Sequence, residues 1–235
     1  MHLSKKFESS KEIRVEDKQI QTQVPESFSF SYRLLSRFRR PAVGIFRLIP
    51  KCFAEKLMDL FRYSNSCIGF AIRYLCINRL ASKCGKKVII FPSVFIKEPK
   101  FLEIGTNVSI HEFTYIDAEG GLEIGDHVGI GHGCTILCGQ HNFNVPDKLM
   151  KESGYTFMPV KIENDVWLGA HVRVLPGITL CQGCVIGASS VVTKTIPKYS
   201  VAVGIPARVI RNRFETKEPE MQNSEKTGYL QRKEN

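Results

Sequence analysis

The stretch from Asp165 to Val192 reads DVWLGAHVRVLPGITLCQGCVIGASSVV, and its apolar residues recur with an unusual period. Leu168, Val174, Leu180, Ile186 and Val192 stand six apart, and Ile162 extends the series backwards. An amphipathic helix returns to its buried face every three or four residues and a half-buried strand every second, so neither explains a step of six. A second series precedes the first by two residues: Val160, Val166, Val172, Ile178, Cys184 and Ser190. Residues at i and i+2 face the same way on a strand, so each unit is a short strand followed by a bend. Gly169 and Gly187 follow their markers, and Gly177 and Gly183 supply further points where the chain turns. The pattern is that of a solenoid rung. Three six-residue sides make a triangular coil of 18, the spacing from Ile162 to Leu180, and about five coils fit between Val88 and Val192.

The series begins at Val88 and Val94, shifts around Lys97 to Lys100, and continues through Ile104, Ile110 and Ile116. Gly120-Gly121 allow a two-residue shift before Ile124, Ile130 and Ile136. Between Gly139 and Pro159 the step is lost in GQHNFNVPDKLMKESGYTFMP, too polar and too rich in Gly and Pro to be a rung. The repeat domain therefore spans 88–210 with an expelled loop at 139–161, and such a loop on a rigid scaffold is a natural place for function.

Upstream of the repeat, residues 1–30 are polar and unpatterned, which predicts disorder. Residues 31–87 read as a helical extension, with SYRLLSRFRR, FAEKLMDLFRY and SCIGFAIRYLCINRL at helical spacing. Residues 211–235 form a charged tail. The charge is uneven: residues 1–87 hold 18 Lys+Arg against 7 Asp+Glu, whereas 88–210 hold 9 against 11. Basic residues are thus absent as a patch from the repeat domain, which argues against a nucleic-acid partner. No run of 18 uncharged apolar residues suggests a spanning helix. The arm, with Arg33, Arg37, Arg39, Arg40 and Arg47 among apolar residues, suits peripheral contact with an anionic membrane face; packing on the solenoid end or on a neighbouring subunit is the alternative.

The first twenty residues have no apolar core of a secretory signal, so the eight cysteines point to a reducing, cytoplasmic setting. Cys134 and Cys184 occupy inward positions, whereas Cys138 and Cys181 do not share that face. The set reads as buried or incidental thiols, with no metal site.

Ile104-Gly105, Ile124-Gly125, Ile130-Gly131 and Ile186-Gly187, with DVWLGAHVRVLPGITL, GASSVVTKTIP and VAVGIPARVIRN, resemble the hexapeptide-repeat O-acetyltransferases. The galactoside and maltose acetyltransferases, and those of surface-polysaccharide assembly, are nearest in pattern. The resemblance implies an all-β solenoid, a left-handed parallel β-helix, assembled as a homotrimer with acetyl-CoA as donor and active sites between subunits. It implies that His141 is the general base. Donor contacts fall on Trp167, Gly169, Ala170, Ala188, Thr193, Lys194, Arg208 and Arg211. Acceptor contacts fall on His111, Asp117 and Glu119; His111 and Glu119 depart from the family's Asn and Asp.

These residue types suit the chemistry. A sugar hydroxyl needs a base to attack at neutral pH, and imidazole titrates in the right range. A fixed backbone N–H can stabilise the oxyanion formed at a thioester, and Arg and Lys can meet CoA phosphates. Direct transfer in a ternary complex, with no acyl-enzyme, is the expected route to acetylated poly- or oligosaccharide. An amine acceptor, on an amino sugar, is the alternative. A carbonic anhydrase-like zinc site would use His127 and His132, but its third histidine, expected near Phe91, is missing. Each assignment has a plainer reading: Trp167 as the filler of a subunit interface, Arg208 and Arg211 as the solvated end of a C-terminal helix, and His111, His127, His132 and His171 as ordinary turn residues.

Overall fold

The computed structural model describes residues 41–215. The segment expected to be disordered, 1–30, the basic residues Arg33 to Arg40, and the tail beyond residue 215 lie outside the described residues. The repeat region forms a parallel β-solenoid with three faces. The first face stacks Lys83–Cys84, Leu102–Ile104, Leu122–Ile124, Val160–Ile162 and Thr179–Leu180. The second stacks Ile89–Ile90, Ser109–Ile110, Gly129–Ile130, Trp167–Leu168, Val185–Ile186 and Ser200–Gly204, and is closed by the antiparallel strand Ala207–Asn212. The third stacks Phe95–Lys97, Tyr115–Asp117, Thr135–Leu137, Arg173–Val174 and Val191–Val192. The second face carries one parallel strand more than the five coils expected, because the stack runs on beyond Val192 to Ser200–Gly204.

The markers fill the prism: Ile104, Ile110, Ile116, Ile130, Ile136, Ile162, Leu168, Leu180, Ile186 and Val192 have no exposed surface, and in the first coil Ile90, in register with Ile110, holds the marker position that the six-step gave to Val88. Each coil bends at its corners through a left-handed residue. At the corner between the first and second faces these are Lys87, Asn107, His127, Asp165 and Tyr199, with φ of 55° to 60°, and Gly183 at 71°. At the next corner they are Ser93, Phe113, Gly133, His171 and Ser189. Left-handed geometry costs about 1–2 kcal/mol for a residue with a Cβ, and the hydrogen-bonded stack holds it in place.

Gly169 and Gly187 serve a different purpose from the turning expected of them. Neither has positive φ. A Cβ on Gly169 would lie 2.7 Å from Ala188 N, and one on Gly187 would lie 2.6 Å from Val203 Cγ1. Close stacking on the backbone of the neighbouring coil, not backbone handedness, requires glycine at 169, whereas at 187 the close neighbour is a side-chain methyl.

Register shows why the six-step breaks. On the third face Ile96 pairs with Ile116 and Ile116 with Ile136, spacings of 20, whereas Val174 pairs with Val192 after 18. The extra residues sit at one corner, between the third and first faces, where the expelled loop also leaves. Cys138 lies there and is fully buried, although the six-step does not place it on the inward face of Cys134 and Cys184. The added residues at this corner turn it inward, and burial pushes its thiol up to about 11.

Helices α1 (Lys51–Leu60) and α2 (Cys67–Leu80) cover the first coil. The Ser66 side chain caps α2 by accepting from Gly69 N at 3.1 Å. Coil carbonyls at this end have no coil beneath them, and buried Arg73 reaches one, donating to Ile90 O at 2.8 Å while also bonding Phe61 O and Ser64 O. Met58, Tyr74, Cys76 and Ile77 join the prism core. The helices therefore pack on the solenoid end, and among the described residues none is long and apolar enough to cross a membrane.

Candidate active site

The expelled loop is anchored by a short antiparallel ribbon, Gly139–His141 against Tyr155–Phe157, with His141 opposite Tyr155. Its root is clamped between coils: Cys138 N donates to Asp117 O and Met158 N donates to Cys138 O. Gly120 makes the fit possible, since a Cβ there would come within 2.0 Å of Cys138 O. Beyond the root, Asn142 N donates to Gly154 O, and Asn142 Nδ2 donates to Ser153 O, both at 3.0 Å. Thr156 Oγ1 donates to Asn142 Oδ1. The His141 ring lies 3.9 Å from that of Tyr155, tilted by 38°, and is exposed beside a recess of about 310 Å³ lined by Gln140, Asn142, Phe143, Thr156 and Met158. Tyr155 was not among the residues expected at the site. The alternation Tyr155-Thr156-Phe157 is the one signal in the loop that could have revealed its strand.

Asp117 and Glu119 lie at the corner where the loop leaves, and both engage Lys97. Lys97 Nζ is 2.6 Å from Glu119 Oε2 and 3.4 Å from Asp117 Oδ2, and Glu119 N donates to Asp117 Oδ1. The hydrogen bond to Glu119 holds the Lys97 ammonium well above its ordinary value. His111 is elsewhere, at the corner between the second and third faces. It stacks on Phe91 with centroids 4.2 Å apart, and burial lowers its pKa. Within one chain, the three acceptor candidates are therefore not brought together.

Most donor candidates share the second face or its far corner. Trp167 is 57% exposed on that face, paired between Gly129 and Val185. Gly169, Ala170 and Ala188 line the corner beyond it, where the N–H of Ala170 has no hydrogen-bond partner among the described residues. Arg208 and Arg211 are exposed on the closing strand, opposite Val203 and Val201. They sit in a strand rather than a helix, because Ser200–Gly204 turns back on itself and supplies the antiparallel partner. Thr193 and Lys194 follow Val192 at the other side of the third face, the side from which the loop leaves. One whole face thus separates His141 from Ala170.

The remaining histidines among the described residues are paired locally. His127 Nδ1 is 3.0 Å from Asn107 Nδ2, and His132 meets His171 edge to face at 5.0 Å. His127 and His132 bracket the second-face strand Gly129–Ile130 at its two ends. Among the described residues no group of three His, Cys, Asp or Glu is placed to hold a metal.

Comparison with known proteins agrees with this architecture. Residues 159–194 match the family described as bacterial transferase hexapeptide (six repeats). The galactoside O-acetyltransferase of Escherichia coli is 35% identical over 135 residues, covering 57% of this chain and 66% of that enzyme. The chain spans less than two thirds of the length of the first relatives it matches. Among solved structures, a maltose O-acetyltransferase from Clostridium difficile superposes with a TM-score of 0.62 at 30% identity, over 69% of this chain and 85% of that one. A hexapeptide-repeat acetyltransferase from Vibrio cholerae, complexed with acetyl-CoA, gives 0.61 at 28% identity, over 68% of this chain and 84% of that one. With a matching solenoid and a maltose O-acetyltransferase at 30% identity covered over 85% of its length, the chain belongs to the hexapeptide-repeat acetyltransferases.

Proposed function

We propose that the protein transfers the acetyl group of acetyl-CoA to a sugar hydroxyl, on a poly- or oligosaccharide. The observation that carries this reading is the exposed imidazole of His141, presented against Tyr155 by a ribbon whose root is locked into the solenoid. His141 takes the proton of the acceptor hydroxyl as its oxygen attacks the thioester carbonyl carbon. The Ala170 N–H faces the carbonyl oxygen and stabilises its developing charge. The C–S bond then breaks, and CoA leaves as its thiol with the proton that His141 took up. Trp167, Gly169 and Ala188 line the path of the donor, Thr193 and Lys194 flank it, and Arg208 and Arg211 meet its phosphates. Asp117 and Glu119, with His111, contact the acceptor.

His141 and Ala170 lie on opposite sides of the third face, so one chain does not assemble this site. A second copy completes it: the hairpin of one subunit faces the donor corner of the next, and three copies close the ring. The test is acetyl-CoA turnover with a panel of sugars and lipid-linked oligosaccharides, read by mass spectrometry. Acetylated sugar with one CoA released per product is expected; acetyl-CoA hydrolysis alone, or transfer only to amines, overturns the reading.

The helical layer suggests where this chemistry happens. Phe53 and Leu60 are exposed on α1, Ile45, Leu48 and Tyr63 are exposed on the segments flanking it, and the sequence that precedes them is rich in Arg. These features fit reversible attachment to an anionic membrane surface, at about 1 kcal/mol per basic residue, screened by salt. Flotation with anionic liposomes at low and high salt tests it. A full-length protein that stays unbound at low salt points to a soluble acceptor instead.

A further inference from the structure

The Gly169–Ala170 peptide is clamped from two directions. Cys134 Sγ, inside the prism and 1% exposed, lies 3.2 Å from Gly169 O. Burial raises this thiol above its usual range, so the sulfur keeps its proton and is the donor. From the coil beneath, the Gly131 backbone presses close: a Cβ there would lie 2.8 Å from both Ala170 N and Gly169 C. The carbonyl and the following N–H of a trans peptide point in opposite directions. With Gly169 O pinned inward, the N–H of Ala170 points outward, where it has no partner among the described residues.

We infer that Cys134 is a positioning residue for acetyl transfer, holding the peptide whose N–H receives the thioester oxygen. This rests on the donor role proposed for Ala170. An N–H that must meet a developing oxyanion gains from being fixed before the reaction, since a freely rocking peptide would have to be oriented during it. The position equivalent to Cys134 one coil earlier is Thr114, whose Oγ1 is 3.2 Å from Gly131 O. That bond supports the Gly131–His132 peptide of the coil beneath, whose N–H is not the one proposed to receive the thioester oxygen. One coil later the same position is Val172, which has no donor to offer. Sequence alone presents Cys134 as one more small inward residue; the bond to Gly169 O gives it a role.

The test compares Cys134→Val, which loses the donor and puts there the residue that Val172 provides one coil later, with Cys134→Ser, which keeps a donor, and with Thr114→Val, which removes the same type of bond from the neighbouring coil. Steady-state turnover with acetyl-CoA and the melting temperature are measured on the full-length assembly. Cys134→Val is expected to lower kcat about tenfold with KM for acetyl-CoA within threefold; Cys134→Ser and Thr114→Val should stay within threefold of wild type. Should the Val variant not fold, Cys134→Ala provides the same readout. Wild-type turnover in the Val or Ala variant, equal losses in the Ser and Val variants, or an equal loss in Thr114→Val overturns the inference. Absence of acetyl-CoA turnover by the wild-type protein would instead overturn the donor reading on which it rests.

Discussion

The His141 imidazole rests on the Tyr155 ring, 3.9 Å between centroids, across the last pair of the ribbon that carries the expelled loop. An aromatic contact of this kind contributes about 0.5–1.5 kcal/mol, enough to favour one ring orientation without locking it. His141→Ala should lower turnover by at least about a hundredfold while leaving acetyl-CoA binding, measured by calorimetry, nearly unchanged. Tyr155→Ala should lower kcat by about threefold to tenfold, since the base is retained but less well held. Equal kcat in wild type and His141→Ala would remove the histidine from the mechanism.

Assembly from several chains makes a separate prediction. Inactive His141→Ala subunits, mixed after partial unfolding with subunits blocked at the donor corner by Ala170→Trp, should regain part of the wild-type rate, because some sites pair an intact hairpin with an intact corner. Sedimentation should show a trimer. A monomer of full activity would rule out the shared site.

Glycines at the stacked corners are required for distance rather than handedness. Gly131→Ala and Gly169→Ala each place a methyl 2.7–2.8 Å from backbone atoms of the next coil. Backbone cannot step aside as a flexible side chain can, so each should cost about 2 kcal/mol or more. Gly177→Ala meets only Met158 side-chain atoms at 3.4 Å, and its φ of +77° carries the lesser cost of about 1–2 kcal/mol. Chemical denaturation of the three variants gives the order directly.

Thiol chemistry should separate the cysteines into classes. Cys52 and Cys67 are exposed, whereas Cys76, Cys138 and Cys184 are buried, with thiols pushed up to about 12, 11 and 12. A disulfide-exchange reagent at pH 8 should modify the first two quickly and the last three only on unfolding. These shifts also set a pH dependence. Unfolded thiols ionise near about 8.5, before the buried ones do, so above that value the unfolded state binds fewer protons and stability falls as pH rises toward 11–12. Denaturation midpoints measured from pH 7 to 10 should decline, and replacing Cys76 and Cys184 by Ala should flatten that decline while lowering stability overall.

Much of the protein was legible in its chain. A step of six with inward pairs at i and i−2 admits few structures other than a three-sided solenoid, because each short strand must bury one face and bend before the next. The interruption at Gly139 to Pro159 was equally plain, since no polar run of that length can be a rung. His141 stands at the mouth of that interruption, where the resemblance puts the family's general base. Other features depend on contacts between coils, which a linear pattern does not carry. Cys138 turns inward because two-residue additions and the expelled loop fall at one corner, a coincidence visible only once Ile96, Ile116 and Ile136 stack. Gly169 looks like a turn residue until Ala188 is seen 2.7 Å from where its Cβ would be. Tyr155 and His141 are fourteen positions apart and meet only through antiparallel pairing. Periodicity is a local property, set by which side chains one strand must bury, so the sequence determined the coil. The direction of a carbonyl, the need for a glycine and the partner of the His141 ring are set by the neighbouring coil or strand, so only the tertiary structure decided them.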